Sequence, residues 1–501
     1  MTNLSRSLPG AMVSVGAVAF GGSLLFTGSV DAGIVVSWTA PAGGDFSVDD
    51  NWDLGVPTDA DTALFALGGS YSVTLSESLA ISRLIVRNGN VTALFESALR
   101  VTSPTINLPS IVLGDVPGLS PTLVLVGELE GEYLNLATPA GTAGTLWIES
   151  GALLSVSQTL AAGTLGDAVV HVEGTLLAQR LTLGVLAAGS AEMVVTAPKR
   201  GIAGGVAIND VLIVAQKGSA TVELDSGALL AANEAVLSVG PLSTSEFTLD
   251  GPETRFEVAG TLDIGFHGTS TMTVTDGATL SVGGFVNIGT IPASFFFPFW
   301  PAGKGVLRIE GPGSTATLGG SLSLPLAGVG ALEVRNHGRV EIAGDFVINS
   351  PSRATIAVEF EPSRTTPVVA VAGAMLGPTS GTAQCDLLLE LPRGFTPTPG
   401  QRMTLVEATA IVPPLQPFWP AVAGIVWSLE IETTELVQRY VVRVLDAPDL
   451  DGDGVVDGVD LGLLLANWGN LDGSGVGDLD GNGTIDGADL GLLLAAWTPP
   501  G

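Results

Sequence analysis

The chain has 501 residues, 46% of them apolar and only 14% charged, with 67 glycines and 30 prolines; this is too apolar for a disordered chain. A net charge of −31, with three lysines in all (Lys199, Lys217, Lys304), excludes duplex nucleic acid as a partner, because binding phosphates needs a basic patch. A single cysteine, Cys385, excludes an intrachain disulfide framework, so packing and metal binding must supply the stability.

The N-terminus reads as a signal peptide over residues 1–32. Arg6 supplies a positive start, Ala11 to Phe26 is an uncharged apolar run, and Val30-Asp31-Ala32 places small residues before Gly33. The run is short and glycine-rich for spanning about 30 Å of hydrocarbon, so the mature chain is expected to have no membrane span and to be secreted or displayed at the cell surface. Residues 33–80, with Trp38, Phe46, Trp52 and Phe65 among Gly, Asp and Pro, read as an N-terminal β cap. Asp49-Asp50-Asn51 reads as polar turn residues there.

Residues 81–365 repeat. Apolar residues that close short alternating strands recur at Ile148, Val172, Val195, Leu224, Leu249, Val274, Ile309, Val334 and Val358, at spacings of 24, 23, 29, 25, 25, 35, 25 and 24. A period in the twenties marks a solenoid. Within a unit, Thr271-Met-Thr-Val274 leads to Leu280-Ser-Val282 and then to Val286-Asn-Ile288, giving three period-2 strands separated by glycine-centred turns. The predicted fold is therefore mainly β: a parallel β-helix in which each strand pairs with its equivalent one turn away. The two long spacings mark insertions. One holds Lys199-Arg200; the other is the aromatic run 291–301, with Phe295, Phe296, Phe297, Phe299 and Trp300, read as folding back on the solenoid flank. Residues 366–445 lose the period and carry longer strand-like runs, which predicts an antiparallel β cap.

The last segment, 446–501, has 11 acidic residues and no basic ones. Asp449, Asp451, Asp453, Asp457 and Asp460 occupy positions 1, 3, 5, 9 and 12 of a loop with Gly454 at position 6. Asp478, Asp480, Asn482, Asp486 and Asp489, with Gly483, repeat the spacing 29 residues later. Calcium takes 6–8 oxygen ligands, and the glycine provides the turn that wraps them around it. Each loop runs into Leu-Gly-Leu-Leu-Leu-Ala, ending at Trp468 and Trp497.

This duplicated, EF-hand-like loop and helix resembles a type I dockerin. The resemblance implies a small all-α module with two Ca2+ sites. Their ligands would be the ten side chains just named plus the backbone carbonyls of Val455 and Thr484, and the partner a cohesin-like or other protein. It departs at loop positions 10 and 11, where Gly458-Val459 and Gly487-Ala488 replace the hydroxyl residues that often contact cohesins. Units such as Gly251-Pro-Glu-Thr-Arg-Phe-Glu-Val-Ala-Gly-Thr-Leu-Asp-Ile-Gly265 are similar to autotransporter-passenger β-helix repeats, a pattern-level likeness.

No catalytic constellation is found. His171, His267 and His337 fall in different repeats and read as surface turn residues. Glu149, Glu173, Glu223 and Glu310 flank the repeating anchors and read as an outward line that keeps an apolar solenoid soluble. The leading expectation is a non-catalytic surface or scaffold protein attached through the calcium module. The alternative is a dockerin-bearing polysaccharide-degrading or polysaccharide-binding protein of pectate-lyase-like fold, with an extracellular glycan as ligand.

Overall fold

The computed structural model describes residues 33–102, 108–198, 204–290, 303–325, 328–349, 353–377, 385–398, 400–412, 415–420, 422, 425–446, 448–469, 477–479 and 484–498. The expected signal peptide, the aromatic run 291–301, Lys199, Arg200, Asp480 and Asn482 lie outside them. Among the described residues the protein is mainly β and solenoid-like, with two short helices, both near the C-terminus.

Period-2 patterning turns alternate side chains inward, and the nine apolar anchors show where they go. Each anchor is the parallel register partner of the next, from Ile148↔Val172 through Val334↔Val358. The ladder extends to Leu125 on one side and Leu389 on the other. All nine are at most 1% exposed. Burying one such side chain stabilises by about 1.5–3 kcal/mol, and here the gain recurs every turn. The long spacings leave register intact: Val195 still pairs with Leu224 and Val274 with Ile309.

Two further parallel ladders complete the turn. One runs through Phe256, Leu280, Ala316 and Val340, the other through Leu262, Val286, Leu322 and Phe346. Three separate strands per turn hold from Thr244–Asp250 onward. Between Ala143 and Leu237 two faces fuse into one long strand, as in Leu153–Ala162, with a register shift between Val156 and Thr159.

Both expected cap boundaries fall inside the ladders. Val35–Ser37 already pairs in parallel with Thr62–Phe65, and that strand with Arg83–Val86, so residues 33–80 belong to the coil. Their sequence lacks the repeat pattern because aromatic rings fill the end turn. Trp52 lies 5.0 Å from Trp38, 4.8 Å from Phe46 and 5.5 Å from Phe65, ring centre to ring centre, and its indole N–H donates to the Phe46 carbonyl. At the other end the parallel pairing persists to Gln416–Phe418. Antiparallel pairing begins only where Arg402–Ala408 meets Gln438–Asp446, which also pairs with Ile425–Thr433. The spacing from Val358 to Leu389 is 31 residues, so the sequence period vanishes while the register survives.

A second apolar core stands apart from the solenoid's. It consists of Leu450, Val456, Leu464, Leu479, Ile485 and Leu493. These are three pairs, each separated by 29 residues. The duplication in sequence is thus a pseudo-two-fold in packing.

Candidate metal centre

The first acidic loop leads into α1 (Gly458–Ala466), and the second into α2 (Gly487–Ala495). Each helix starts where it does because an aspartate caps it. The Asp457 carboxylate accepts from the Val459 N–H, and Asp486 accepts from Ala488. Reciprocally, Asp460 accepts from the Asp457 N–H at 2.7 Å and Asp489 from the Asp486 N–H at 2.8 Å. This is a capping box with aspartate in the third position, satisfying donors that a helix start leaves open.

The position-12 aspartates are fully buried. Asp460 also accepts from the N–H groups of Leu450 at 2.6 Å and Asp451 at 3.1 Å, and Asp489 accepts from Leu479 at 2.6 Å. One carboxylate therefore closes its loop and starts its helix at once. Reciprocal bonds lock the halves: Gly469 N–H donates to the Ile485 carbonyl and Thr498 N–H to the Val456 carbonyl, both at 2.9 Å.

Three of the expected ligands converge in the first loop. Asp449, Asp451 and Asp453 each offer a carboxylate oxygen, all within 4.8 Å of one another. The loop backbone turns around them. Asp449 accepts from the N–H groups of Gly452 and Gly454, and Gly454 has φ +87°, which an L side chain rarely adopts. Asp451 accepts from the Asp453 N–H, which favours its charged form. A small loss of hydration and the neighbouring carboxylates of Asp453, Asp460 and Asp449 outweigh that bond and raise the pKa of this exposed group. Asp457 and Asp460 are not in this trio; their carboxylates face backbone N–H groups. In the second loop Asp478, Thr484, Asp486 and Asp489 are described, whereas Asp480 and Asn482, the counterparts of Asp451 and Asp453, lie outside the described residues.

An all-oxygen donor set suits a hard cation. Two oxygens on one calcium ion, each at about 2.4 Å, are at most about 4.8 Å apart, and the first-loop trio meets that limit.

The remaining candidates are scattered. His171 lies within the strand Asp167–Val172 and stacks on Trp147 at 4.4 Å between ring centres; His267 is buried; His337 pairs with Glu361 at 2.9 Å. The surface-turn expectation therefore holds for His337 but fails for the other two, because inward and flank positions of the coil claimed them. The position after each anchor is acidic at Glu149, Glu173, Asp225, Asp250, Glu310 and Glu359, interrupted by Thr196, Thr275 and the basic Arg335. Asp276, beside Asp250, was not singled out from sequence; its signal was the Asp-Gly turn after Val274-Thr275.

Among the described residues, no helix is long and apolar enough to cross a membrane. Neither the protein-family models nor the curated proteins give a match to this chain.

Proposed function

We propose that residues 446–501 form a calcium-dependent, dockerin-like docking module. It would be carried by a secreted or cell-surface parallel β-helix that ends in antiparallel strands on the C-terminal side, acting as a non-catalytic surface or scaffold protein. The observation that carries this reading is the 29-residue pseudo-two-fold, in which loop, capping box, core and cross-bonds all recur. In the first site Asp449, Asp451 and Asp453 would hold the ion, joined by the Val455 carbonyl and, after the loop tightens, by Asp457 and Asp460. The second site would use Asp478, Asp480, Asn482, Asp486, Asp489 and the Thr484 carbonyl. Calcium would neutralise carboxylates that otherwise repel one another.

A protein partner is supported by the apolar side chains that the helices leave exposed: Val459, Leu465 and Trp468 on the first half, Leu492, Leu494 and Trp497 on the second. Clustered exposed apolar surface marks association sites. Calcium titration of the full chain by calorimetry should give two sites, and Asp449→Asn with Asp451→Asn should remove one. Absence of calcium binding at millimolar ion would rule the reading out.

One observation favours a polysaccharide-active alternative. Asp225 and Asp250 follow successive anchors, and burial, then Asp276, then Asp225, raise the Asp250 pKa. A carboxyl held toward its protonated form beside other carboxylates suits an acid role in glycoside cleavage. Release of reducing ends from polysaccharides, lost in Asp250→Asn, would establish it; no release from neutral or acidic polymers would remove it.

A further inference from the structure

A polar cavity of about 390 Å³ opens between the loop at 360–367 and the strands Arg402–Ala408 and Gln438–Asp446. In a chain with 19 basic and 50 acidic residues, three arginines line it, Arg364, Arg402 and Arg439, against one carboxylate, Glu407. We infer that this cavity is a binding pocket for a uronate, a sugar bearing a carboxylate. The inference stands independently of the docking reading.

Arg364 builds the floor. Its side chain is buried and committed: it donates to Glu361 at 3.3 Å, to the Thr366 carbonyl at 3.1 Å and to the Gly338 carbonyl at 2.8 Å, pinning the loop to the coil. Arg402 and Arg439 are different. Arg402 gives Nη2 to Glu432 at 2.9 Å, and Arg439 gives Nε to Glu407 at 2.6 Å. Each is held by one edge, with the rest of its planar fork turned to a half-exposed surface. A guanidinium carries five N–H donors in a geometry that matches a carboxylate.

Strand pairing brings a further arginine beside the cavity. Arg402 sits directly opposite Arg443 on the antiparallel partner. Glu432 is shared between them, at 2.9 Å and 2.7 Å, and Glu430 also pairs with Arg443 at 3.0 Å. Like charges directly opposite are destabilising unless a counter-charge joins them. The Thr365 and Thr404 hydroxyls also line the cavity, and Pro362 and Pro367 add apolar surface. Guanidinium forks for a carboxylate, hydroxyls for sugar hydroxyls and a flat apolar rim for a ring face together match a uronate better than a bare anion.

The test is calorimetric titration of the full chain with a hexuronate disaccharide, its neutral counterpart and inorganic sulfate. The uronate should bind at least ten-fold more tightly than either. Arg402→Gln and Arg439→Gln should each weaken it ten-fold or more, with the weakening steeper at low salt. Thr404→Val, which leaves every ion pair in place, should cost about three-fold and keeps the test valid if an arginine variant misfolds by circular dichroism. Equal binding of the neutral sugar, binding of sulfate alone, or no binding of the uronate overturns the assignment, as does unchanged affinity in all folded variants.

Discussion

Replacing Asp460 by alanine is the sharpest test of how the C-terminal module is built. The carboxylate is fully buried and accepts three backbone N–H groups, from Leu450, Asp451 and Asp457, at 2.6, 3.1 and 2.7 Å. Hydrogen bonds to a charged group contribute about 1.5–3 kcal/mol each, and buried donors left unpaired cost about 1–3 kcal/mol. Allowing for the exposed share of Asp451, the loss is about 3–6 kcal/mol. A small module supported by six core residues has only about 3–5 kcal/mol to lose. Scanning calorimetry of the full chain in saturating calcium should show two transitions, because the two apolar cores are separate. Asp460→Ala should abolish the smaller one and leave the larger unchanged. A smaller transition that stays within about 2 °C of wild type would refute the claim that this one side chain closes the loop.

Asp263 gives a pH prediction. Burial pushes its carboxyl up to about 6, against hydrogen bonds from Asn287 and Thr290, so the folded state holds a proton that the unfolded state has released between pH 4 and 6. Stability should therefore fall as pH rises across that window, by on the order of 3 kcal/mol, and level off above 6. Asp263→Asn should flatten that slope and raise stability at pH 8 in urea titrations. Trp52→Ala, which empties the aromatic end turn, should cost about 3–5 kcal/mol and lower the larger transition. A calcium chelator should lower only the smaller transition, measurable as two resolved peaks, since the 11 acids of the last segment then repel without a counter-ion.

The ladder was legible because its inward positions are filled mostly by buried Val, Ile and Leu. Nine anchors picked by spacing alone turned out to be successive register partners, including those on either side of the two insertions. The ends were harder. At Trp38 and Trp52 the coil needs bulk to fill its terminal turn, and bulky rings erase the Val/Ile/Leu rhythm. Beyond Val358 the turns lengthen, which hides the period although Val358 and Leu389 still pair. In the acidic loops the spacing picked out Asp449, Asp451 and Asp453, but the hydrogen-bonded roles of Asp457 and Asp460 required the folded backbone. The arginine cavity had no sequence signature, because Arg364, Arg402 and Arg439 come from three separate segments that only register brings together.

The crossed bonds of the C-terminal module make its two loops interdependent. Val456, at the end of the first loop, is held by Thr498, which follows the second helix; Ile485, in the second loop, is held by Gly469, which follows the first. An event that orders either loop fixes the strand to which the opposite helix is tied. Linkage is reciprocal, so if the loops bind ions, whatever coupling the crossed bonds transmit from one loop to the other is equal in the reverse direction. The module should accordingly fill cooperatively, with a Hill coefficient above one, and empty as a single unit.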